Sequence, residues 1–340
     1  MTSNPSIFEK AIAESTAYEP ALERLERSKD ATPTAIYEYL AVEDLQQAAD
    51  ILRPVYDESD RGDGYVSMEV SPYLAHDTRA TIDEATRLWK RVGRENLMIK
   101  VPGTREGVPA IRQLISQGIN VNVTLLFSRT ACREVNEAYM DGLEALTAHG
   151  DLAGAASVAS MFVSRLDTLV DPILEQRALA ASPADQAQLQ GLVGKVAIAN
   201  AKLAYQDWKE LCRHPRWLAL VARGARPQRL LWASTGTKDP RFSDVLYVES
   251  LIGPDTVDTI PPATLDALRN HGKAQSHLEE NITEATQVLT TLARHGISID
   301  DLTARLLDDG VSKFSAAFDT LLASIEKKVH ARSAQHALRA

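Results

Sequence analysis

Short apolar segments alternate with longer amphipathic ones along most of this chain, and that alternation narrows the folds open to it. Six segments have the length and character of strands: Tyr65–Ser71, Leu97–Val101, Ile119–Phe127, Ser157–Val163, Leu230–Ser234 and Thr256–Ile260. Between them lie stretches with helical spacing, among them Thr78–Val92, Val108–Ser116, Thr130–Ala148 and Val193–Leu211. Asp77 and Ser128 are good N-cap residues, and Gly118 and Gly150 stand where helices should stop. Strand and helix in alternation imply parallel βαβ units. Seven or eight such units, with no break in composition, predict one α/β barrel over residues 1–330, with extra helices from Pro261 onward and a short basic tail at 331–340.

The strands are two-sided. Residues alternate between faces along a strand, so Leu97, Ile99 and Val101 share one face while Met98 and Lys100 share the other. Val66, Met68 and Val70 oppose Ser67, Glu69 and Ser71, and Ile119, Val121, Val123 and Leu125 oppose Asn120, Asn122 and Thr124. Ser160 and Phe162 oppose Ala159, Met161 and Val163, and Trp232 and Ser234 oppose Leu231 and Ala233. If the apolar sets face the helices, Glu69, Lys100, Asn122, Thr124, Ser160 and Ser234 turn inward near the C-terminal strand ends, where barrel enzymes build their sites. Each residue also has a plainer reading. Lys100 could lie on a sheet edge with its ammonium in water, and Glu69 could serve only as a salt-bridge partner. Asn122 and Thr124 could be polar core residues tied to backbone groups. The coincidence of all of them is what points to chemistry. A buried lysine can keep a neutral amine that attacks a carbonyl to form an imine, and a carboxylate with an ordered water can move the protons.

Other classes are disfavoured. A net charge of −9 argues against a nucleic-acid or anionic-membrane surface as the main partner. No apolar run reaches the roughly 18 residues of a membrane span, and residues 1–5 show no signal-peptide pattern. Cys132 and Cys212 fit a reducing, cytoplasmic setting, and the eight histidines form no HxH or HxxxH pair that would suggest a metal. No Gly-rich nucleotide loop is present, so no cofactor is expected.

Four blocks resemble the transaldolase family in order: Thr2-Ser3-Asn4-Pro5-Ser6-Ile7-Phe8, Leu97-Met98-Ile99-Lys100-Val101-Pro102-Gly103-Thr104, Val121-Asn122-Val123-Thr124-Leu125-Leu126-Phe127, and Leu230-Leu231-Trp232-Ala233-Ser234-Thr235-Gly236-Thr237-Lys238. They resemble the segment after the second barrel strand, the Schiff-base strand, the fifth strand, and the seventh strand of a longer bacterial branch. The resemblance implies a (β/α)8 barrel and a transferase of the pentose phosphate pathway. Such an enzyme carries a dihydroxyacetone unit from sedoheptulose 7-phosphate or fructose 6-phosphate to glyceraldehyde 3-phosphate or erythrose 4-phosphate. It makes Lys100 the imine-forming nucleophile, and Glu69 with Thr124 the holders of a catalytic water. Asn4, Asn122 and Ser160 become sugar-contacting residues, and Arg165, Ser234 and Lys238 phosphate ligands, with Lys238 in place of an arginine some members carry. A homodimer is compatible with the resemblance. A fructose-6-phosphate aldolase-like activity, or an inactive sugar-phosphate-binding barrel, is the alternative.

The resemblance also implies a preceding helix and a first strand bearing an aspartate that takes the C4 hydroxyl proton. The chain begins after that strand and inside the expected second one, with Met1 where relatives carry valine. The expectation is therefore a longer natural protein with a GTG codon read as its start. A chain of this extent is expected to be poorly soluble or to fill the gap with another element. Its turnover is expected to be lower by roughly 10²–10⁴-fold if general acid–base help alone is lost.

Overall fold

The computed structural model describes residues 1–26, 32–148 and 150–339. They form two compact units, one of residues 1–101 with 310–340 and one of residues 102–309.

In the first unit, helices α1 (Pro5–Glu14), α2 (Glu19–Glu26) and α3 (Pro33–Glu58) precede strand β1 (Val66–Glu69). Helix α4 (Thr78–Val92) then leads to strand β2 (Leu97–Pro102). Each helix start that carries a polar cap is legible: Asn4 accepts from the Ile7 amide, Thr32 from Ala35 and Asp77 from Ala80. The two strands are parallel and in register, with Glu69 opposite Lys100. All ten of their residues are buried, which a strand covered on both faces requires. Thr2 adds a single parallel bridge to Ser67, and the Ser67 amide donates to the Met1 carbonyl at 3.2 Å.

The second unit holds α5 (Gly107–Ser116), β3 (Val121–Leu126), α6 (Arg129–Leu146), β4 (Ser157–Phe162) and α7 (Ser164–Leu179). After them come α8 (Pro183–Gln190), α9 (Val196–Arg213), α10 (Pro215–Val221), β5 (Arg229–Ala233), α11 (Leu246–Ser250) and β6 (Thr256–Asp258). Helices α12 (Pro262–His271), α13 (Ile282–Arg294) and α14 (Ile299–Arg339) close the order, the residues of α14 from 310 onward counting with the first unit. Strands β3, β4, β5 and β6 pair in sequence order, every pair parallel. Helical crossovers between parallel strands place the helices over the strand faces.

The six strands fall where the period-two pattern places them, and the α/β architecture of parallel strands is consistent with the barrel that the resemblance implies. One strand departs from its pattern. Val123 pairs with Ala159 but Leu126 pairs with Met161, so β3 spends one extra residue. Leu125, at φ 59°, absorbs it as a bulge. The alternation that grouped Leu125 with Val123 therefore ends at Thr124. Helix α9 starts later than expected because Gly194 takes φ 73° just before it. Its Asn200 donates to the Phe127 carbonyl at 2.8 Å, so the helix secures the exit of β3. At the C-terminus α14 runs as backbone helix to Arg339; the side chains of the expected basic tail lie outside the described residues. Among the described residues no helix is long and apolar enough to cross a membrane.

Candidate active site

In the first unit the parallel ladder puts Glu69 and Lys100 on the same rung toward the C-terminal ends of β1 and β2. Both are buried, at 7% and 5% exposure, which for these residue types calls for a partner. Lys100 Nζ lies 3.5 Å from Glu69 Oε2 and donates to the Ser3 carbonyl at 3.2 Å. Burial pushes the Glu69 carboxyl up, and the Lys100 ammonium pulls it down without reversing the shift. Among the described residues Glu69 Oε1 is buried with no hydrogen-bond partner. An orphan oxygen of this kind is the signature of a position where water or a ligand binds. Asn4 caps α1 through Oδ1, which leaves its Nδ2 as the group able to donate to a ligand.

Two groups beside Lys100 escaped the sequence reading. Ser3 contributes only its carbonyl, which no residue-type signal marks. Phe314 brings its ring to 5.9 Å from Lys100 Nζ, and it lies in a helical stretch whose spacing says nothing about a strand far away in sequence.

In the second unit the expected residues gather in two places. Ser160 Oγ donates to Asn122 Oδ1 at 2.6 Å, both side chains buried. Thr124 Oγ1 is buried and without a partner, while its carbonyl accepts from the Gly103 amide at 2.7 Å. A side chain at Gly103 would start 2.4 Å from Leu126 Cδ2, so the Leu126 side chain would have to shift to admit one where the Pro102-Gly103-Thr104 turn meets β3.

The second gathering lies at the end of β5. Ser234 has φ 57°, unusual for a residue with a Cβ, and its Oγ lies 3.0 Å from that of Ser164 at the start of α7. The Ser164 amide donates to the Ser234 carbonyl at 3.1 Å, which ties the two segments together. Arg165 follows on the first turn of α7, half-buried, its guanidinium 5.0 Å from the centre of the Phe162 ring. Among the described residues no carboxylate pairs with it, and burial alone lowers its pKa. A desolvated guanidinium on the first turn of a helix is suited to an anion. Lys238 is exposed in the following loop, its Nζ 3.9 Å from where a Cβ on Gly236 would lie.

A buried lysine beside a carboxylate on parallel strands supplies the two groups that imine chemistry in an α/β enzyme requires. A family model described as Transaldolase/Fructose-6-phosphate aldolase matches residues 1–325, and the chain belongs to that family. It is 49% identical over 336 residues to Transaldolase 2 of Nostoc sp., covering 97% of this chain and 87% of the relative. It is 50% identical over 326 residues to Transaldolase of Thiobacillus denitrificans, covering 96% and 89%. Transaldolase 1 of Streptomyces coelicolor is 45% identical over 334 residues, covering 98% and 86%.

Proposed function

We propose that this chain is a transaldolase that moves a dihydroxyacetone unit between sugar phosphates of the pentose phosphate pathway, and that it works in the cytoplasm. The buried Lys100–Glu69 pair is the observation that carries the reading. Lys100, as the neutral amine, attacks the C2 carbonyl of the ketose phosphate to give a carbinolamine. Loss of water then gives the imine. The C4 hydroxyl gives up its proton to water as the C3–C4 bond breaks, and the imine accepts the electron pair of that bond, releasing the first aldose and leaving an enamine on Lys100. The same water returns the proton to the acceptor's oxygen when the new bond forms. The enamine attacks the aldehyde of the acceptor, and water frees the new ketose.

Glu69 is assigned the proton traffic of carbinolamine dehydration through a water, and its unpartnered Oε1 supports that role. Thr124, whose hydroxyl lacks a partner among the described residues, is assigned to holding a catalytic water. Asn122 with Ser160, and the Nδ2 of Asn4, are assigned to the sugar hydroxyls. Arg165 and Ser234 are assigned to the phosphate, with Lys238 as an outer cation.

The test is borohydride trapping with fructose 6-phosphate, followed by peptide mass mapping and by product analysis with and without erythrose 4-phosphate. A reduced adduct on Lys100, with products that depend on the acceptor, is expected. Free dihydroxyacetone without an acceptor would instead mean an aldolase, and absence of an adduct on folded protein would remove Lys100 from its role.

A further inference from the structure

A cavity of about 160 Å³ lies within the first unit, and Glu69 is among the residues that line it. Its other polar lining comes from Thr34, Tyr37 and Glu38 of α3, Ser71 after β1, and Glu84 and Arg87 of α4. At about 30 Å³ per molecule the space suits a handful of waters, and the lining offers each several partners. Tyr37 holds its place through its ring, which packs edge-on against Phe8 at 5.7 Å and Phe318 at 5.3 Å. Among the described residues its hydroxyl has no hydrogen-bond partner. Glu84 accepts from the Ser71 amide at 2.9 Å through Oε1. Glu38, held by Arg87 and Arg91, and the exposed Arg87 itself stand on the solvent side.

We propose that this cavity holds a water chain through which Glu69 exchanges its proton with solvent, and that the Tyr37 hydroxyl is the positioning residue that orders the chain. The inference rests on the reading of Glu69 as the proton carrier. In one direction the Glu69 acid O–H breaks as an O–H forms on the first water. That water passes a different proton on, with Tyr37 accepting one and donating another, until the Glu84 carboxylate or solvent beyond Arg87 receives it. Glu69 is left as carboxylate and no electrons change hands. The reverse sequence reloads it. The charged groups that face Tyr37 among the described residues are Glu38 on its own helix, Glu69 from β1, and Glu84 and Arg87 from α4, and from α14 the Phe318 ring packs against it. Burial first, and then the three carboxylates, raise the Tyr37 pKa, so the hydroxyl stays protonated and able to relay.

The experiment uses Tyr37→Phe and Glu84→Gln in the full chain. Steady-state rates and the solvent deuterium isotope effect are measured with and without formate as a small proton carrier. Lys100 trapping runs in parallel. For Tyr37→Phe, a kcat lower by about tenfold with KM within about twofold is expected. The isotope effect should rise, formate should restore part of the rate, and the Lys100 adduct should persist. Unchanged kcat and isotope effect in both variants would overturn the relay. So would a slower rate that formate leaves untouched at an unchanged isotope effect, because that is what lost ring packing alone would give. If Tyr37→Phe does not fold, Glu84→Gln carries the same readouts with the aromatic cluster intact. Failure to trap Lys100 in the parent chain would strike the transaldolase reading itself, a result distinct from any loss of the relay.

Discussion

Glu69 Oε2 sits 3.5 Å from Lys100 Nζ across adjacent strands, so the separation of acid and amine is set by the spacing of a hydrogen-bonded ladder rather than by a loop. Replacing either group should therefore change the chemistry while leaving the strands in place. Lys100→Met is expected to abolish the borohydride adduct and turnover together. The carboxylate left behind loses its countercharge, so the Glu69 carboxyl should titrate still higher. Mass mapping after trapping checks the first point; an adduct that persists in this variant would place the nucleophile elsewhere.

Glu69→Gln separates the two roles. With the amine intact, an adduct should still form, while kcat falls by roughly 10²–10⁴-fold because proton transfer is lost. The comparison of trapping yield with steady-state rate decides it. Equal losses in both would mean that Glu69 serves only to place Lys100.

Much of this was legible from the chain alone. The rung shared by Glu69 and Lys100 follows from two apolar alternations, and the caps at Asp77 and Ser128 follow from residue type. What could not be read was whatever depends on a single backbone angle or on a distant partner. A leucine at φ 59° carries no local mark, so the bulge at Leu125 was invisible. The Ser3 carbonyl on Lys100 and the Phe314 ring near it are contacts of groups that have no chemical signature in sequence.

Arg165→Ala should raise KM for fructose 6-phosphate by roughly 10–100-fold, the worth of a charge-assisted contact to phosphate, with a smaller effect on free fructose. Lys238→Ala should do less, since an exposed ammonium holds an anion weakly. KM values for the phosphorylated and free sugars, measured on both variants, test the order. A larger effect at Lys238 would reverse the assignment.

Asp258 accepts from Thr235 Oγ1 at 2.9 Å, yet burial pushes its carboxyl from 3.8 up to about 7. The folded protein therefore holds that proton more tightly than the unfolded chain, and stability is lost as pH rises from about 4 to about 7. Asp258→Asn keeps the acceptor and removes the titration. Relative to the parent it should gain by roughly 1–3 kcal/mol across that window and level off above it. Urea unfolding at pH 5 and pH 8 gives the comparison; the same difference at both values would refute it.

Gly103→Ala should destabilise by about 1–3 kcal/mol, because the new methyl meets Leu126 Cδ2 at 2.4 Å. The penalty should shrink when Leu126 is shortened to alanine as well. A double-mutant cycle by thermal unfolding measures that coupling, and strictly additive costs would show that the contact is not the cause.

The bulge in β3 has a further meaning for how this protein can change. Up to Thr124 the strand is written in one reading phase, polar on one side and apolar on the other; beyond Leu125 the phase is inverted. Of two positions of similar chemistry, Leu126 pairs with Met161 and Leu125 is the residue the ladder passes over. A drifting sequence can exchange aliphatic residues there freely by type, but it cannot insert or remove one without turning the Asn122–Thr124 face the wrong way. The spacing of this short run is consequently a stricter inheritance than its spelling.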